Sequence, residues 1–250
     1  MKRSLQRLLG FDRYLYYFSI FTINTLPWNR RERDFLHFLK LIPDGGIVLD
    51  IGANIGIMSV WLSRKLPGSS IFAFEPMPQN VKTLQRVIRR YRLQNVSIIA
   101  KALGSEKKKV EMVMPVLDDV KMQGLSHVMH ESIDSFNEGK KFEADMESLD
   151  YWFARQSFDK KLEAIKLDVE NFEYFVLEGA RECLASQRPL IYTELWENEN
   201  RQKCFDFLEE MQYLTLVLQE NQLVEFDVNA HSTQNFFFLP AERKSEVLKA

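Results

Sequence analysis

The sequence predicts an α/β fold in which helices cover a mostly parallel β-sheet, and three observations support this prediction. Short apolar runs typical of buried parallel strands alternate with segments of helical periodicity. The order over residues 47–100 is strand, helix, strand, helix, strand, which builds a right-handed, doubly wound sheet with ligands at the carboxyl ends of its strands. The chain has 250 residues, of which 46% are apolar, and this suffices for one domain with a sizeable core.

The N-terminal stretch is predicted to be helical and is strongly basic. Apolar side chains recur at helical spacing through residues 1–26, and Pro27 interrupts the pattern. Residues 1–40 hold eight Lys or Arg against three acids, a local net charge of +5 in a chain whose net charge is −2. We expect residues 1–44 to form a helical cap on the sheet. As functional interpretations, residues 1–26 make peripheral contact with a membrane surface or cover a substrate pocket.

The sequence also bears on location and partners. The N-terminal apolar run lacks a small-residue cleavage site and is too short to span a bilayer. Cys183 and Cys204 lie in helical patterns, away from any second Cys or His at metal-ligand spacing, and are interpreted as reduced core thiols of a cytoplasmic protein. A pI near 6.2 argues against a nucleic-acid partner.

The most informative stretch is a strand, a glycine-bearing turn and the start of a helix. Residues 47–49 form a continuous apolar run of the kind found in a buried strand. The turn after it has the pattern Asp-x-Gly-x-Asn-x-Gly, made by Asp50, Gly52, Asn54 and Gly56. A dinucleotide-binding pattern, Gly-x-Gly-x-x-Gly, would need glycine at Asn54 and Ile57, so it is not met. A carboxylate in this turn suits a cationic ligand better than a pyrophosphate.

Two further segments extend this predicted ligand site. Glu75 and Pro76 end the second strand, about twenty residues after the glycine turn, where a carboxylate is placed to accept hydrogen bonds from both ribose hydroxyls of a nucleoside. The proline fixes the backbone there and stops the strand. Ala102 and Leu103 follow the third strand in a predicted turn, beside which an adenine ring would lie.

Three carboxylates form a second group of candidate residues. Asp168 and Glu170 lie two apart at the end of a predicted strand, so they point to the same side if strand geometry persists. Glu194 ends the next strand and is expected level with them. Crowded like charges raise one another's pKa or require a cation. The group therefore suits either a general base for a substrate hydroxyl or a ligand set for an ion such as Mg²⁺, and a purely structural role is the third alternative.

These segments, taken together, resemble one known family. The segments are residues 48–56, 74–76, 102–104, 148–150, 165–173, 176–180 and 192–194. Their combination is similar to the FkbM-type S-adenosylmethionine-dependent methyltransferases, from about residue 45 to residue 240. Asn171 departs from the pattern, because the family commonly has glycine there, and Ser126 and His127 lie where it tends to show small hydroxyl residues.

The resemblance implies a Rossmann-like class I methyltransferase fold, with a mostly parallel seven-stranded sheet whose last strand is antiparallel. It also implies methyl transfer from S-adenosylmethionine to a hydroxyl of a sugar, a glycan precursor or a related natural product. The candidate cofactor-binding residues are Asp50, Gly52, Asn54, Gly56, Glu75, Pro76, Ala102, Leu103 and Asp168. Asp168, Glu170 and Glu194 are the catalytic candidates, and a divalent cation such as Mg²⁺ is a second candidate cofactor.

The expected organisation is a helical cap over residues 1–44, a methyltransferase domain over residues 45–240 and a charged tail over residues 241–250. Residues 105–160 are interpreted as an irregular insert, and because such inserts are usually functional, acceptor selection is expected there. Two other functions stay open: a nucleotide-dependent oxidoreductase or epimerase on a Rossmann fold, and a non-catalytic binding protein that keeps the fold. The expected partner is a small-molecule or glycan acceptor, and the oligomeric state is left open.

Overall fold

A computed structural model describes residues 2–133 and 135–247 of the chain. The helices of this part are α1 (Lys2–Leu9), α2 (Phe11–Thr25), α3 (Arg33–Leu41), α4 (Ile57–Lys65), α5 (Pro78–Tyr91), α6 (Leu149–Ala154), α7 (Glu173–Glu178), α8 (Arg181–Gln187), α9 (Glu199–Glu210) and α10 (Lys244–Val247). The strands are β1 (Ile47–Ile51), β2 (Ser70–Phe74), β3 (Val96–Ile99), β4 (Ala102–Leu103), β5 (Lys108–Leu117), β6 (Val120–Lys121), β7 (His127–Val128), β8 (Gly139–Glu147), β9 (Leu162–Leu167), β10 (Leu190–Glu194), β11 (Tyr213–Gln219), β12 (Gln222–Glu225) and β13 (Asn235–Pro240).

The main sheet has the strand order β12-β11-β13-β10-β9-β1-β2-β3. The strands β3, β2, β1, β9 and β10 are parallel, as predicted for a doubly wound sheet. Strand β13 runs antiparallel to both β10 and β11, so the predicted antiparallel last strand is confirmed. The sheet has eight strands instead of the predicted seven, because Glu220 and Asn221 both adopt positive φ in a tight turn that adds β12 as a hairpin partner of β11.

The segment predicted as an irregular insert carries a second sheet. Strands β5 and β8 pair antiparallel, with Lys108 opposite Met146, and β4, β6 and β7 extend this sheet. The alternation of residues 109–114 predicts an edge or hairpin strand, and β5 confirms it. The prediction of irregular structure over the rest of residues 105–160 is wrong, and Ala102 and Leu103 lie in strand β4 instead of a turn. The pairing partners are distant in the chain, so the periodicity of one strand alone does not reveal them.

The helices predicted at the N-terminus pack against the sheet's helical layer. Helix α2 contacts α4 and α5, and the Trp61 Nε1–H donates to the Ile23 carbonyl at 3.1 Å. Helix α3 buries Phe35 and Phe38 against Tyr192, with ring centroids 6.2 and 5.3 Å away. The stretch before β1 is therefore bound to the same body as the sheet.

Three smaller predictions concern the cysteines, the tail and the membrane. Cys183 and Cys204 are buried free thiols, as predicted. Residues 241–247 form a 3-10 turn and α10, while residues 248–250 of the predicted tail lie outside the described residues. In the part of the chain that the structure describes, no helix combines the length and the apolarity needed to cross a membrane.

Candidate active site

A cleft, here called the main cleft, opens at the carboxyl ends of β1, β2 and β9, and the 3-10 turn Gln123–Leu125 contributes to its wall. Seven of the nine predicted cofactor residues line it, and Asp50 and Gly56 do not. The lining residues from the prediction are Gly52, Asn54, Glu75, Pro76, Ala102, Leu103 and Asp168. Lys101, Ser126 and Glu170 also line this cleft.

Two glycines shape the turn between β1 and α4. Gly52 has a φ of +76°, and a Cβ added there would lie 1.8 Å from the Asp168 carbonyl oxygen. Gly56 has a φ of +84°, and a Cβ there would lie 2.5 Å from Leu84 Cδ1 on α5. Gly52 is thus required because the ends of β1 and β9 approach closely, and Gly56 because the turn packs on α5.

Asp50 lies behind the main cleft instead of in its wall. It is fully buried, the Ser59 hydroxyl donates to its Oδ2 at 2.5 Å, and its Oδ1 lies 3.5 Å from Lys166 Nζ. The predicted contact with a cationic ligand is therefore replaced by an internal ion pair. Strand register is the physical reason, because Asp50 of β1 lies directly beside Lys166 of β9.

Glu75 is held at the end of β2 by three donors. The Asn54 N–H donates to its Oε2 at 2.8 Å, and the Met77 N–H and Asn80 Nδ2 donate to its Oε1 at 2.8 and 3.3 Å. Burial raises the pKa of Glu75 to about 7, against the opposing effect of these hydrogen bonds. The carboxylate is therefore fixed in orientation, and lone pairs remain for further donors such as ribose hydroxyls.

Two polar atoms of residues that line the main cleft have no hydrogen-bond partner among the described residues. They are Asn54 Oδ1 and Ser126 Oγ, and both atoms are buried. A buried polar atom without a partner costs about 1–3 kcal/mol, so these two atoms indicate contact with a ligand. Together with Glu75 they fit a nucleoside, which offers several hydroxyl and amino donors.

A buried lysine that the sequence analysis did not single out lies between two of the predicted acids. Lys166 Nζ donates to the Gly52 carbonyl at 2.9 Å and lies 3.5 Å from Asp50 Oδ1 and 3.4 Å from Asp168 Oδ2. Burial lowers the pKa of Lys166, but the Asp168 and Asp50 carboxylates outweigh burial and hold that pKa above its usual value. Lys166 therefore stays charged. Its place two residues before Asp168 in an apolar strand was the available sequence signal.

Four carboxylates surround this lysine on the side of the cleft, and Glu32, Asp168, Glu170 and Glu194 with Lys166 are here called the acid cluster. Burial, followed by repulsion from Asp168, raises the pKa of Glu170 to about 9 and that of Glu194 to about 7. The same two causes raise the pKa of Glu32. The structure thus brings the three predicted catalytic acids together and adds Glu32, which no motif marked. At pH 7 the cluster holds protons that a nearby positive charge would displace.

The turn after β9 sets the position of Glu170. Glu170 and Asn171 have φ values of +54° and +75°, and asparagine tolerates this left-handed conformation better than most residues other than glycine. The departure at Asn171 is therefore accommodated. Asn171 Oδ1 accepts from Asn198 Nδ2 at 2.7 Å, and its carbonyl accepts from Asn200 Nδ2 at 3.1 Å. These bonds tie the turn to the start of α9.

A second depression, here called the outer hollow, lies on the far side of Glu170. Its wall combines the turn after β10 with six residues of the insert, and Glu170 belongs to this wall as well as to the main cleft. The insert residues are Leu125, His127, Ser132, Ile133, Ser135 and Phe136. Trp196 and Phe136 meet edge to face there, with ring centroids 6.1 Å apart. Glu194 lines neither depression, but its charge contributes to the raised pKa of Glu170.

A third depression, here called the inner hollow, lies between the N-terminal helices and the glycine turn. Tyr14, Phe18 and Thr22 of α2 line it with Glu32, and Asp168 is shared with the main cleft. The N-terminal segment therefore forms part of the site. This lining agrees with the interpretation that residues 1–26 cover a substrate pocket, although helical spacing showed only that these side chains face inward.

The acid cluster is not arranged as a metal site. Within residues 2–133 and 135–247, no group of three or more His, Cys, Asp or Glu side chains is placed to hold a metal ion. The ammonium group of Lys166 already stands between Asp50 and Asp168. The predicted Mg²⁺ therefore finds no support in these side chains.

Comparison with known proteins adds independent findings. The sequence pattern of the Methyltransferase FkbM domain matches residues 50–225. The chain is 26% identical over 179 residues to Methyltransferase 1 of Beauveria bassiana (strain ARSEF 2860). This match covers 64% of this chain and 72% of that protein. The chain is also 38% identical over 53 residues to Methyltransferase sdnD of Sordaria araneosa. This match covers 21% of this chain and 20% of that protein.

A solved structure of Methyltransferase FkbM from Methylobacillus flagellatus KT shares the fold. The TM-score is 0.53 at 18% sequence identity. The match covers 78% of this chain and 44% of that chain, so this chain spans less than half the length of that protein. The likeness agrees with the predicted Rossmann-like class I methyltransferase fold.

Proposed function

The chain belongs to the FkbM family of S-adenosylmethionine-dependent methyltransferases, and on this premise we propose that it methylates a hydroxyl group of a sugar or glycan precursor. The observation that carries the proposal is the place of Glu170, which belongs to the walls of both the main cleft and the outer hollow. This supports a donor in the main cleft, an acceptor in the outer hollow and Glu170 at the boundary. Membership in the family sets aside the oxidoreductase, epimerase and purely binding functions.

The residues of the main cleft suit the proposed donor. S-adenosylmethionine, when bound, supplies an electrophilic methyl group on a positively charged sulfur. Glu75 would accept from the ribose hydroxyls, Ala102 and Leu103 would flank the adenine, and Asn54 Oδ1 and Ser126 Oγ would gain the partners they lack. The acid cluster would favour the positive charge by Coulomb attraction.

The outer hollow supports a polyhydroxylated acceptor. A sugar ring presents hydroxyls that both donate and accept hydrogen bonds, and its C–H faces pack on aromatic rings. Amide and hydroxyl side chains meet the first need and aromatic side chains the second. The residues that provide them are Ser132, Asn171, Asn198 and Gln234, with Phe136 and Trp196.

Glu170 is the proposed general base. The acceptor hydroxyl must lose its proton as it attacks the methyl carbon, and a base works best when its pKa lies near the operating pH. The pKa of Glu170 is raised to about 9 by burial and by Asp168, and a positive charge in the main cleft would bring it down toward neutrality. Glu194, with a pKa raised to about 7 by burial and by Asp168, is the second candidate. Asp168 would stand beside the methyl group and orient it.

The predicted organisation is retained as part of the proposal. Residues 1–44 act as a cap on the catalytic unit of residues 45–240, and the tail predicted over residues 241–250 stays a prediction. The lining of the inner hollow by α2 supports the first part, and the lining of the outer hollow by insert residues supports acceptor selection by residues 105–160. The free buried thiols support a cytoplasmic location.

A transfer assay on the full chain tests the proposed function. Labelled S-adenosylmethionine is offered with sugar nucleotides and lipid-linked sugars, with and without a chelator that tests the Mg²⁺ alternative. Replacing Glu170 by Gln should lower kcat by about 10²–10⁴ because the base is lost, while the affinity for S-adenosylhomocysteine stays near that of the wild type.

Glu197→Gln is the matched control, because Glu197 lines the outer hollow but not the main cleft. It should change KM more than kcat. Wild-type kcat in Glu170→Gln would remove Glu170 as the base. Calorimetry that finds no binding of S-adenosylhomocysteine at micromolar protein would contradict the proposed donor.

A further inference from the structure

The outer face of α2 and the turn after it expose large aromatic side chains. Tyr17, Phe21 and Trp28 are 58%, 67% and 78% exposed. Tyr17 and Phe21 lie four residues apart and so share one helix face, and Trp28 ends the 3-10 turn Leu26–Trp28 that follows. Buried residues such as Leu15 and Ile23 hold the opposite face on the protein. Packing of α2 on the protein therefore does not account for these exposed aromatic side chains.

Basic side chains surround these aromatic residues. Arg13 lies one turn before Tyr17 on the same face, and exposed Arg30 and Arg31 follow Trp28. Residues 2–31 contain six Lys or Arg and one acid, Asp12, which already pairs with Lys82 at 2.5 Å. The surface around the aromatic residues is therefore positive.

Helix α5, which packs beside α2, enlarges the positive surface. Lys82 reaches Asp12, and the Arg86 guanidinium lies 4.0 Å from the centroid of the Tyr16 ring. Farther along α5, Arg89 and Arg90 are exposed. Residues 76–105 contain no Asp or Glu, so the charge of α5 is not neutralised within its own stretch of chain.

Aromatic residues rimmed by arginines match the chemistry of an anionic bilayer surface. Amphipathic aromatic side chains settle at the boundary between headgroups and acyl chains, and each nearby Lys or Arg adds attraction to anionic lipid. The net charge of the whole chain is −2, which argues against a nucleic-acid partner and favours lipid over RNA. The 15 residues of α2 are too few to span a bilayer, so the helix would lie in the plane of the surface.

We propose that the face formed by Tyr17, Phe21 and Trp28 with Arg13, Arg30, Arg31, Arg89 and Arg90, here called the aromatic-basic face, docks on an anionic lipid bilayer. This contact is independent of the methyl transfer proposed above. It has a consequence for the site, because Tyr14, Phe18 and Thr22 on another side of α2 line the inner hollow. A docked α2 would hold that hollow close to the lipid surface.

Vesicle flotation with the full chain tests this inference. Vesicles of phosphatidylcholine alone are compared with vesicles that contain about 30% phosphatidylglycerol, at low and high salt. We expect binding to the anionic vesicles only, and weaker binding at high salt. The Phe21→Ser/Trp28→Ser variant should lose about tenfold or more in partitioning, whereas Val228→Ser should bind like the wild type. Val228 is 75% exposed in the loop after β12, which makes it a matched control.

Two further measurements separate the contributions. The Arg89→Glu/Arg90→Glu variant should lose about tenfold or more in partitioning, while the Lys160→Glu/Lys161→Glu variant, another pair of adjacent exposed cations, should lose much less. Brominated lipid should quench the emission of Trp28, and Trp28→Phe should remove most of that quenching.

The outcomes that overturn the inference are distinct. Equal binding of wild type and Phe21→Ser/Trp28→Ser would show that another surface meets the lipid, and equal binding to neutral and anionic vesicles would remove the role of the arginines. Absence of vesicle binding, with RNA oligomers bound through the same arginines, would assign the face to nucleic acid. Calorimetry with S-adenosylhomocysteine on every variant shows that the fold persists and keeps this test separate from that of the proposed function.

Discussion

The main cleft and the acid cluster lie side by side but are built in different ways. In the main cleft, Glu75 accepts from Asn54 after β1, from Met77 just before α5 and from Asn80 in the first turn of α5. In the acid cluster, Glu32, Glu170 and Glu194 come from three distant segments and share the single cation of Lys166. Burial raises the pKa of Glu75 to about 7 as well, but three donors fix its orientation, whereas the acids of the cluster share one cation and are satisfied mainly by protons.

This difference separates two tasks. Fixed donors and backbone turns suit a ligand part of constant shape, such as the proposed nucleoside, since their geometry does not change with the ligand's charge. A group of buried acids that retains protons responds to charge, because a cation nearby favours the ionised forms. Lys166 belongs to both regions, since it bonds the Gly52 carbonyl and lies beside Asp168. Variants of Lys166 and of the residues that contact it are therefore expected to have the largest effects on stability and ligand binding.

Replacing Lys166 by Met should lower the free energy of unfolding by about 3–5 kcal/mol, because Asp50 would remain buried without a counter-charge. Urea denaturation measures the change. Lys101→Met is the matched control: Lys101 lies 2.9 Å from buried Glu147, which keeps Arg155 at 3.1 Å after the change. The control should lose about 1 kcal/mol or less. Equal losses in the two variants would mean that Lys166 does not join the two regions.

Gly52→Ala tests the close approach of β1 and β9. The added Cβ would meet the Asp168 carbonyl at 1.8 Å, at a residue with φ of +76°, so we expect a loss of about 2–4 kcal/mol in stability and of most S-adenosylhomocysteine binding. Gly124→Ala is the control, because Gly124 lines the same cleft and a Cβ there meets nothing within 4 Å. Thermal unfolding and calorimetry report both effects. Wild-type behaviour of Gly52→Ala would contradict the described approach of the strands.

Glu173→Gln tests whether buried acids beside the cluster make stability depend on pH. Burial raises the pKa of Glu173 from its ordinary 4.5 to about 7. The folded state therefore binds more protons between these values, and the stabilisation is full below pH 4.5 and lost as the pH rises through about 7. The wild type should become less stable from pH 5 to pH 8, and the variant should reduce that change by about 2 kcal/mol.

Glutamine can still accept from the Val169 N–H, which donates to Glu173 Oε1 at 2.9 Å, so the test changes charge more than packing. The control is Glu178→Gln, an exposed position on the same helix. Denaturation curves at several pH values supply the data. An unchanged pH slope in Glu173→Gln would show that this carboxyl does not carry the dependence.

The parts of the molecule that the sequence predicted are those built from neighbours along the chain. The glycine turn and the strand ends with Glu75 and Asp168 follow from residues within a few positions of one another. The family follows from several such local segments taken together, and the family and the fold are confirmed. The partnership of Lys166 with Asp50 depends on strand register, and the place of Glu32 depends on the packing of the N-terminal helices. The second sheet likewise depends on pairing between distant strands. These contacts join residues that lie far apart along the chain, so local sequence patterns do not predict them.

The smallest predicted effect compares the two regions directly, because S-adenosylmethionine and S-adenosylhomocysteine present the same nucleoside but differ in charge at sulfur. Burial raises the pKa of Glu194 to about 7 and of Glu170 to about 9, so at pH 7 Glu170 holds its proton and Glu194 is partly protonated. Binding of the cation should release up to about one proton more than binding of the neutral product. The affinity for S-adenosylmethionine should rise about fivefold from pH 6 to pH 8, since deprotonated acids attract its positive charge. The affinity for S-adenosylhomocysteine should change little.

Calorimetry in buffers of different ionisation enthalpy measures the proton release. The Glu170→Gln/Glu194→Gln variant should abolish the difference and Glu197→Gln should keep it; equal release by the two ligands in the wild type would mean that the acid cluster does not respond to the charge at sulfur.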